Sequence, residues 1–357
     1  IGLEIPAAHD MPFALAYKLL YAGEKMRVVF LYPFIKHGFI MAENKKIQIK
    51  FINTRIYIII LASLLSFSGL LNIMFFSSVI FATNFYENIS VKLKYLLSAF
   101  SAKFNFSVAD IVVFILIALL CFSCIRLAIY FIKSKKAGNI YLFTYRLKKT
   151  LLNFCCFLAT AFMIFTLTFM PVYNRLGFMG YNNIHSASID DGYLNRLAES
   201  ANTLSEGVTD PDKAGINENT FIVTMNKLAL HYPCLGDFYT APKKSMFFAG
   251  YVPFTNEACY KSKTLSPSEI IDIMEGYACS SGFVSASDRQ YIAVSACLKS
   301  DNAYLKYCGV LALINTINKN YPDKNITALL NRNVIKDIES LSSVCKSSYL
   351  PELNSIL

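Results

Sequence analysis

The sequence predicts a mainly α-helical membrane protein: three transmembrane helices, then a mostly helical domain in which a small sheet or hairpin is allowed (α+β). Three observations point there. The chain is 55% hydrophobic with a mean hydropathy of +0.42, too apolar for a single water-soluble domain. Three of its apolar runs exceed the roughly 20 residues that cross a bilayer. Its net charge of +10 is unevenly placed: residues 1–174 hold 18 Lys/Arg against 6 Asp/Glu, and residues 175–357 hold 16 against 18. The basic half is the apolar half. That excess reads as topological lysines beside membrane spans, and no nucleic-acid partner is expected.

The chain opens on Ile1, and Met41 begins MAENKKIQIK, which has the composition of a cytoplasmic leader. Residues 1–40 stay unassigned, and 41–174 form the expected membrane domain. Between Arg55 and Glu87 there is no charge, giving a first span over about 56–82. The second, 111–132, carries only Arg126, which is close enough to Lys133 to snorkel to the interface. The third covers about 150–172. Segment 133–149 has six basic residues and no acid, and 42–55 has four basic residues and one acid. The positive-inside rule therefore puts the N-terminus and the 133–149 loop in the cytoplasm and everything after the third span outside. The expected location is a bacterial cytoplasmic membrane, with the lipid bilayer as the first partner. VKLKYLLSAFSAKF, within 87–110, has helical apolar spacing flanked by lysines; it fits an interfacial helix or a plain connecting one.

Residues 175–357 suffice for one compact domain. Helical patterns occupy YLNRLAESANTLSEG, FIVTMNKLALHY, 267–281, 286–299, 302–319 and 325–346, while MFFAGYVPFT reads as extended or turn structure. Six cysteines (Cys234, Cys259, Cys279, Cys297, Cys308, Cys345) lie in this half without CxxC spacing. Disulfides and buried free thiols both fit them. Cys121, Cys124, Cys155 and Cys156 fall within spans and read as packing residues.

The most informative stretch is SPSEIIDIMEGYACSSGF, 266–283. Ser266 is a good N-cap, Pro267 suits the first helical position, Glu269 completes a capping box and Gly282 can end the helix. Glu275 and Cys279 are four apart and share one face. That is the spacing at which HExxH presents two histidines to zinc.

With this helix, the segment Pro253-Phe254-Thr255-Asn256-Glu257-Ala258-Cys259, the pair Gly282-Phe283 and the downstream SDRQYIAVSACLKSDNAYLKYCGVLAL, the chain resembles the bacterial domain-of-unknown-function family numbered 3810. The resemblance covers roughly 50–320. It implies three spans and an extracytoplasmic domain of metallopeptidase-like fold with an HExxH motif and a further carboxylate ligand. Against that pattern Glu275 stands where the first histidine belongs, Gly276 where the general-base glutamate belongs, Cys279 where the second histidine belongs, and Asp288 at the third-ligand position. The catalytic glutamate is lost, since glycine has no side chain to take a proton from a metal-bound water. No catalytic residue is assigned; Glu275, Gly276 and Cys279 are a vestigial site.

Two roles stay open for the altered positions. Glu275, Cys279 and Asp288 could hold zinc, since carboxylate and thiolate are legitimate ligands. Or they are a solvated carboxylate, a small core residue and a helix N-terminal acid, with no cofactor. Of the histidines, only His231 stands where it could pair with Cys279 as a nucleophile's base. The expected function is accordingly a pseudoenzyme that acts by binding a peptide, an envelope component or a membrane-protein partner. The alternatives are a remodelled zinc- or thiol-dependent hydrolase and a decaying gene.

Overall fold

The structure, a computed structural model, describes residues 54–136, 138, 140–185, 188–207, 215–236, 239–261, 265–339, 341 and 351. The expectations for residues 1–40 and the leader, and for Cys345, fall outside these residues. Residues Asn53–Leu357 form one compact unit.

Among the described residues, three helices are long and apolar enough to cross a membrane: α1 (Thr54–Ser77), α4 (Val108–Lys136) and α5 (Ile140–Thr168). Their faces present Ile, Leu and Phe outward, among them Ile59, Phe114, Ile125 and Phe157. α1 and α5 are joined by small polar contacts suited to an apolar surrounding. Ser68 Oγ lies 3.0 Å from Met163 Sδ, and Asn72 Nδ2 donates to Thr166 Oγ1 at 3.4 Å. The first apolar run, expected as one span over 56–82, is interrupted at Ser78. That residue is extended (φ −145°), and its Oγ accepts from Phe81 N at 3.2 Å, capping a new helix, α2 (Val79–Phe85). A wider π-type turn, Tyr86–Ser90, leads into α3 (Val91–Ser101).

The C-terminal domain is mostly helical. After the short α6 (Phe178–Tyr181) come α7 (Asp191–Gly207) and α8 (Glu218–His231). A three-stranded sheet follows: β1 (Lys243–Lys244), β2 (Gly250–Val252) and β3 (Glu257–Tyr260), in the order β1-β3-β2, parallel for β1–β3 and antiparallel for β2–β3. Then α9 (Pro267–Ser280), α10 (Ala286–Leu298) and α11 (Ala303–Asn320) match the three helices expected at 267–281, 286–299 and 302–319. They share one apolar core with α7 and α8, built around residues such as Leu197, Met225, Met274, Ile292 and Leu311.

Over its described part, the helix expected at 325–346 is instead a 3-10 turn, Ile326–Leu329, and a separate α12 (Arg332–Glu339), while 340 and 342–346 lie outside the described residues. Asn202 of α7 explains the break. Its Nδ2 donates to Leu329 O at 3.0 Å and its Oδ1 accepts from Asn331 N at 2.8 Å, replacing the helical partners of both groups. The cysteines Cys234, Cys259, Cys279, Cys297 and Cys308 are free thiols.

The domain is stitched to the membrane helices through the residues 253–259 segment. Glu257 is fully buried at the start of β3. Its carboxylate accepts from Val108 N and Ala109 N, both at 3.1 Å, which are the first amides of α4. Thr255 Oγ1 donates to it at 2.9 Å, and Lys243 Nζ lies 3.6 Å away. A helix leaves its first four N–H groups without internal partners, and the positive end of its dipole favours a carboxylate. Asn256, in the left-handed region (φ 53°), joins three elements at once. Its Oδ1 accepts from Tyr251 at 2.7 Å and from Ser280 at 3.2 Å, and its Nδ2 donates to Ser98 at 2.5 Å.

Close packing of α10 on α11 rests on Gly309. A Cβ there would stand 2.8 Å from Cys297 Cβ and 3.1 Å from Leu298 N, and the second is backbone that cannot step aside. Gly309→Ala is therefore expected to destabilise the protein by about 1–3 kcal/mol, the usual cost of overpacking, read as a lowered Tm of the detergent-solubilised chain. An unchanged Tm would mean that the two helices are not in this contact.

Candidate functional site

α9 forms as its sequence dictates. Ser266 Oγ accepts from Glu269 N at 3.4 Å, Glu269 Oε2 accepts from Ser266 N at 3.3 Å, and Pro267 opens the helix. At the other end Gly282 takes φ 87°. Its N–H reaches Cys279 O and that of Phe283 reaches Ala278 O, the Schellman pattern. Gly282 is required twice over, because a Cβ there would run into the Tyr86 ring and lie 2.8 Å from Arg175 Nη1. The Arg175 guanidinium is itself stacked on two rings, 4.3 Å from the centroid of Tyr86 and 4.5 Å from that of Phe283.

A cavity of about 370 Å³ lies over the face of α9 that carries Asp272, Glu275 and Cys279. Phe169 and Tyr173, just past α5, form one wall, and Ala249 to Tyr251 and Pro253 form another. Asp272, Glu275, Gly276 and Cys279 make its floor, with Arg289 of α10 beside them. Two of the expected site residues are thus brought together as their i, i+4 spacing requires, and Gly276 lies between them. The glycine has a packing reason: a Cβ would sit 3.3 Å from Ala258 Cβ and 3.5 Å from Gly250 C, so β2 and β3 are seated close against α9.

Asp288 faces elsewhere. It is buried, its N–H is capped by Ser285 Oγ at 3.1 Å, and its Oδ1 accepts from Met179 N at 3.4 Å, which fastens α6 to α10. It does not line the cavity. His231 is exposed, with Nδ1 3.2 Å from Lys227 O, and does not line the cavity either.

The residue that sequence reasoning passed over is Arg289. Its Nε lies 3.4 Å from Glu275 Oε2, and its Nη1 lies 3.9 Å from Cys279 Sγ. One guanidinium therefore lies beside both of the cavity-floor residues Glu275 and Cys279. The available signal was its place directly after Asp288, where the two are the only charges in a helix that is otherwise uncharged and nearly all buried. Burial raises the Glu275 carboxyl to about 6 against the opposing pull of Arg289, with Asp272 adding to the rise. The Asp272 carboxyl is raised too, by burial first and by Glu269 second. Burial also raises the Cys279 thiol, which keeps it protonated and poorly nucleophilic.

A second unforeseen residue is Lys94 of α3, which is fully buried. Its Nζ donates to Cys279 O at 3.1 Å and Ser280 O at 3.2 Å, the carbonyl end of α9, where a cation complements the helix dipole. The rings of Tyr86, Phe169 and Tyr251 surround it at 5.3 to 5.6 Å. Burial, the largest influence, lowers its amine to about 7. The membrane-side helix α3 thus holds the site helix from below.

The chain belongs to the family described as protein of unknown function (DUF3810), which matches residues 81–356. The match takes in α4, α5 and the whole described C-terminal domain. No curated protein and no solved structure gives a significant match.

The Glu275 carboxyl titrates higher in the folded protein than its ordinary 4.5. The folded state then holds more protons than the unfolded one between pH 4.5 and about 6, so this residue's contribution to stability is present below 4.5 and is lost as pH rises through 6. Thermal unfolding of the wild type and Glu275→Gln across this range should show the wild type's relative stability declining with pH. A difference that does not vary with pH would contradict the burial of this carboxylate.

Proposed function

We propose that the protein is a membrane-anchored binding protein. It keeps a metallopeptidase-like scaffold outside the cytoplasm but does not run its chemistry. The observation that carries this reading is the Arg289 guanidinium set against both Glu275 and Cys279. A hydrolytic zinc site needs three protein ligands, a bound water and a base. Here Glu275 is paired with an arginine, Asp288 faces α6, and Gly276 supplies no base. These residues do not fit a zinc ion; a permanent cation built into the chain neutralises the carboxylate instead. The positive-inside pattern supports placing the N-terminus in the cytoplasm and the C-terminal domain outside, in a bacterial cytoplasmic membrane.

The ligand class that best suits the cavity is an extended peptide carrying a basic group. β2 pairs with β3 on one side only, and its residues form a cavity wall, so a peptide strand can add to that edge. Asp272 and Glu275 on the floor face a single arginine, leaving one negative charge for a cationic side chain or N-terminus to balance. Phe169, Tyr173 and Tyr251 supply apolar surface beside it.

The test is a screen of the full-length protein in detergent against synthetic peptides, each with one Lys or Arg, with bound metal measured in parallel by elemental mass spectrometry. The expected result is peptide binding without stoichiometric zinc, weakened about tenfold by Asp272→Asn/Glu275→Gln, which corresponds to about 1.4 kcal/mol. Chelator-sensitive peptide hydrolysis that disappears in Glu275→Ala would overturn the proposal in favour of a rebuilt metal site. Hydrolysis that disappears only in Cys279→Ala would overturn it in favour of a thiol enzyme.

A further inference from the structure

α3 is amphipathic in the wrong direction for water. Its buried face is polar: Lys94, Ser98 and Ser101, spaced i, i+4, i+7. Beyond Lys92 in the first turn, its exposed face is apolar, with Tyr95, Leu96 and Phe100 each about half exposed. A helix of a water-soluble domain does the reverse. Just beyond it Phe106 is exposed as well, and from the C-terminal domain Met246, Phe247 and Phe254 project in the same manner.

These side chains continue the lipid-facing surface of the spans. The Phe247 ring meets Phe114 of α4 edge-on at 5.2 Å, and Phe254 lies 6.1 Å from Phe165 of α5. Phe114 is itself half exposed along the span. It lies six residues into α4, about 9 Å along the axis, and past Ile111, where the uncharged run of this span begins. Phe247 therefore reaches the level at which α4 has already become hydrocarbon-facing. Asp110 fixes the loop there, its carboxylate accepting from Ser245 Oγ at 2.5 Å and from Met246 N at 2.7 Å. Lys92, Lys103 and Lys244 are exposed in the same segments, as headgroup phosphates require of flanking cations.

We infer that the apolar face of α3, with Met246, Phe247 and Phe254 of the C-terminal domain, is embedded in the acyl region of the adjoining leaflet, so that the domain is sunk into the membrane surface rather than tethered above it. Continuity with the exposed faces of α4 and α5 selects lipid as the occupant over a second protein. Ala249 to Tyr251 and Pro253, between the two embedded tips, form a cavity wall, which puts the cavity at the membrane surface.

The chain contains no tryptophan, so a single introduced one reports without background. Leu96→Trp, Phe247→Trp and, as a control on exposed α8, Leu230→Trp would be made in the full chain and reconstituted in phosphatidylcholine–phosphatidylglycerol vesicles with acyl chains brominated near the carbonyl end. The expected result is strong quenching of the first two by brominated lipid with little quenching by aqueous acrylamide, and the opposite for the third. Tyr95→Trp and Phe254→Trp serve as a second pair should either of the first destabilise the fold. Quenching of the collar positions by acrylamide alone would overturn the inference by placing them in water. Shielding from both quenchers would overturn it by revealing a protein partner or a second copy.

Discussion

A carboxylate buried against the open end of a membrane helix is the interaction on which the rest of the structure depends. Glu257 sits on β3, yet its acceptors serve the first amides of α4, and Lys243 balances its charge. Unpaired amides at that depth would cost several kcal/mol in an apolar surrounding. Removing one partner of such a buried charged cluster typically costs about 3–5 kcal/mol. The consequence is geometric. β3 cannot leave the end of α4, β2 is paired to β3, and α9 is seated on both through Gly276. The position of the cavity floor is thus referred back, element by element, to the start of a transmembrane helix.

The same logic recurs in the cations. Lys94 donates to the carbonyl end of α9, and Arg289 forms an ion pair with the partly buried Glu275 carboxylate. Neither is a free surface charge. Lys94 comes from the membrane side and Arg289 from α10, so α9 is gripped from below and from beside by side chains that its own sequence does not contain. In the proposed account this explains how a helix could exchange histidines for glutamate and cysteine and still remain in register. The charge that a metal would have supplied is carried by the polypeptide.

Much of this was legible from the residues alone. The three spans, the capping box at Ser266, the glycine stop at Gly282 and the shared face of Glu275 and Cys279 all follow from local rules, and the family resemblance holds. What escaped the sequence is one local competition and several long-range contacts. Ser78 interrupts an uninterrupted apolar run because a hydroxyl competes with the helix for the amide of Phe81. Asn202 breaks a helix more than a hundred residues away, at Leu329 and Asn331. Asp288, read as a neighbour of Glu275 and Cys279, turns toward Met179, while the next residue turns toward them. A helix places successive side chains about 100° apart, so a one-residue difference decides which side chain enters the site. Lys94, lost among apolar neighbours as an interfacial lysine, proves to be a buried one.

Glu257 locks the spans and the C-terminal domain into one body. The most direct test of this lock is a distance between genetically encoded nitroxide side chains at exposed positions Ile129 in α4 and Val223 in α8, measured by double electron–electron resonance in nanodiscs. A single narrow distance distribution is expected in the otherwise native chain and a broadened one when Glu257→Ala is added. A broad distribution without that change, or a narrow one that survives it, would contradict the account.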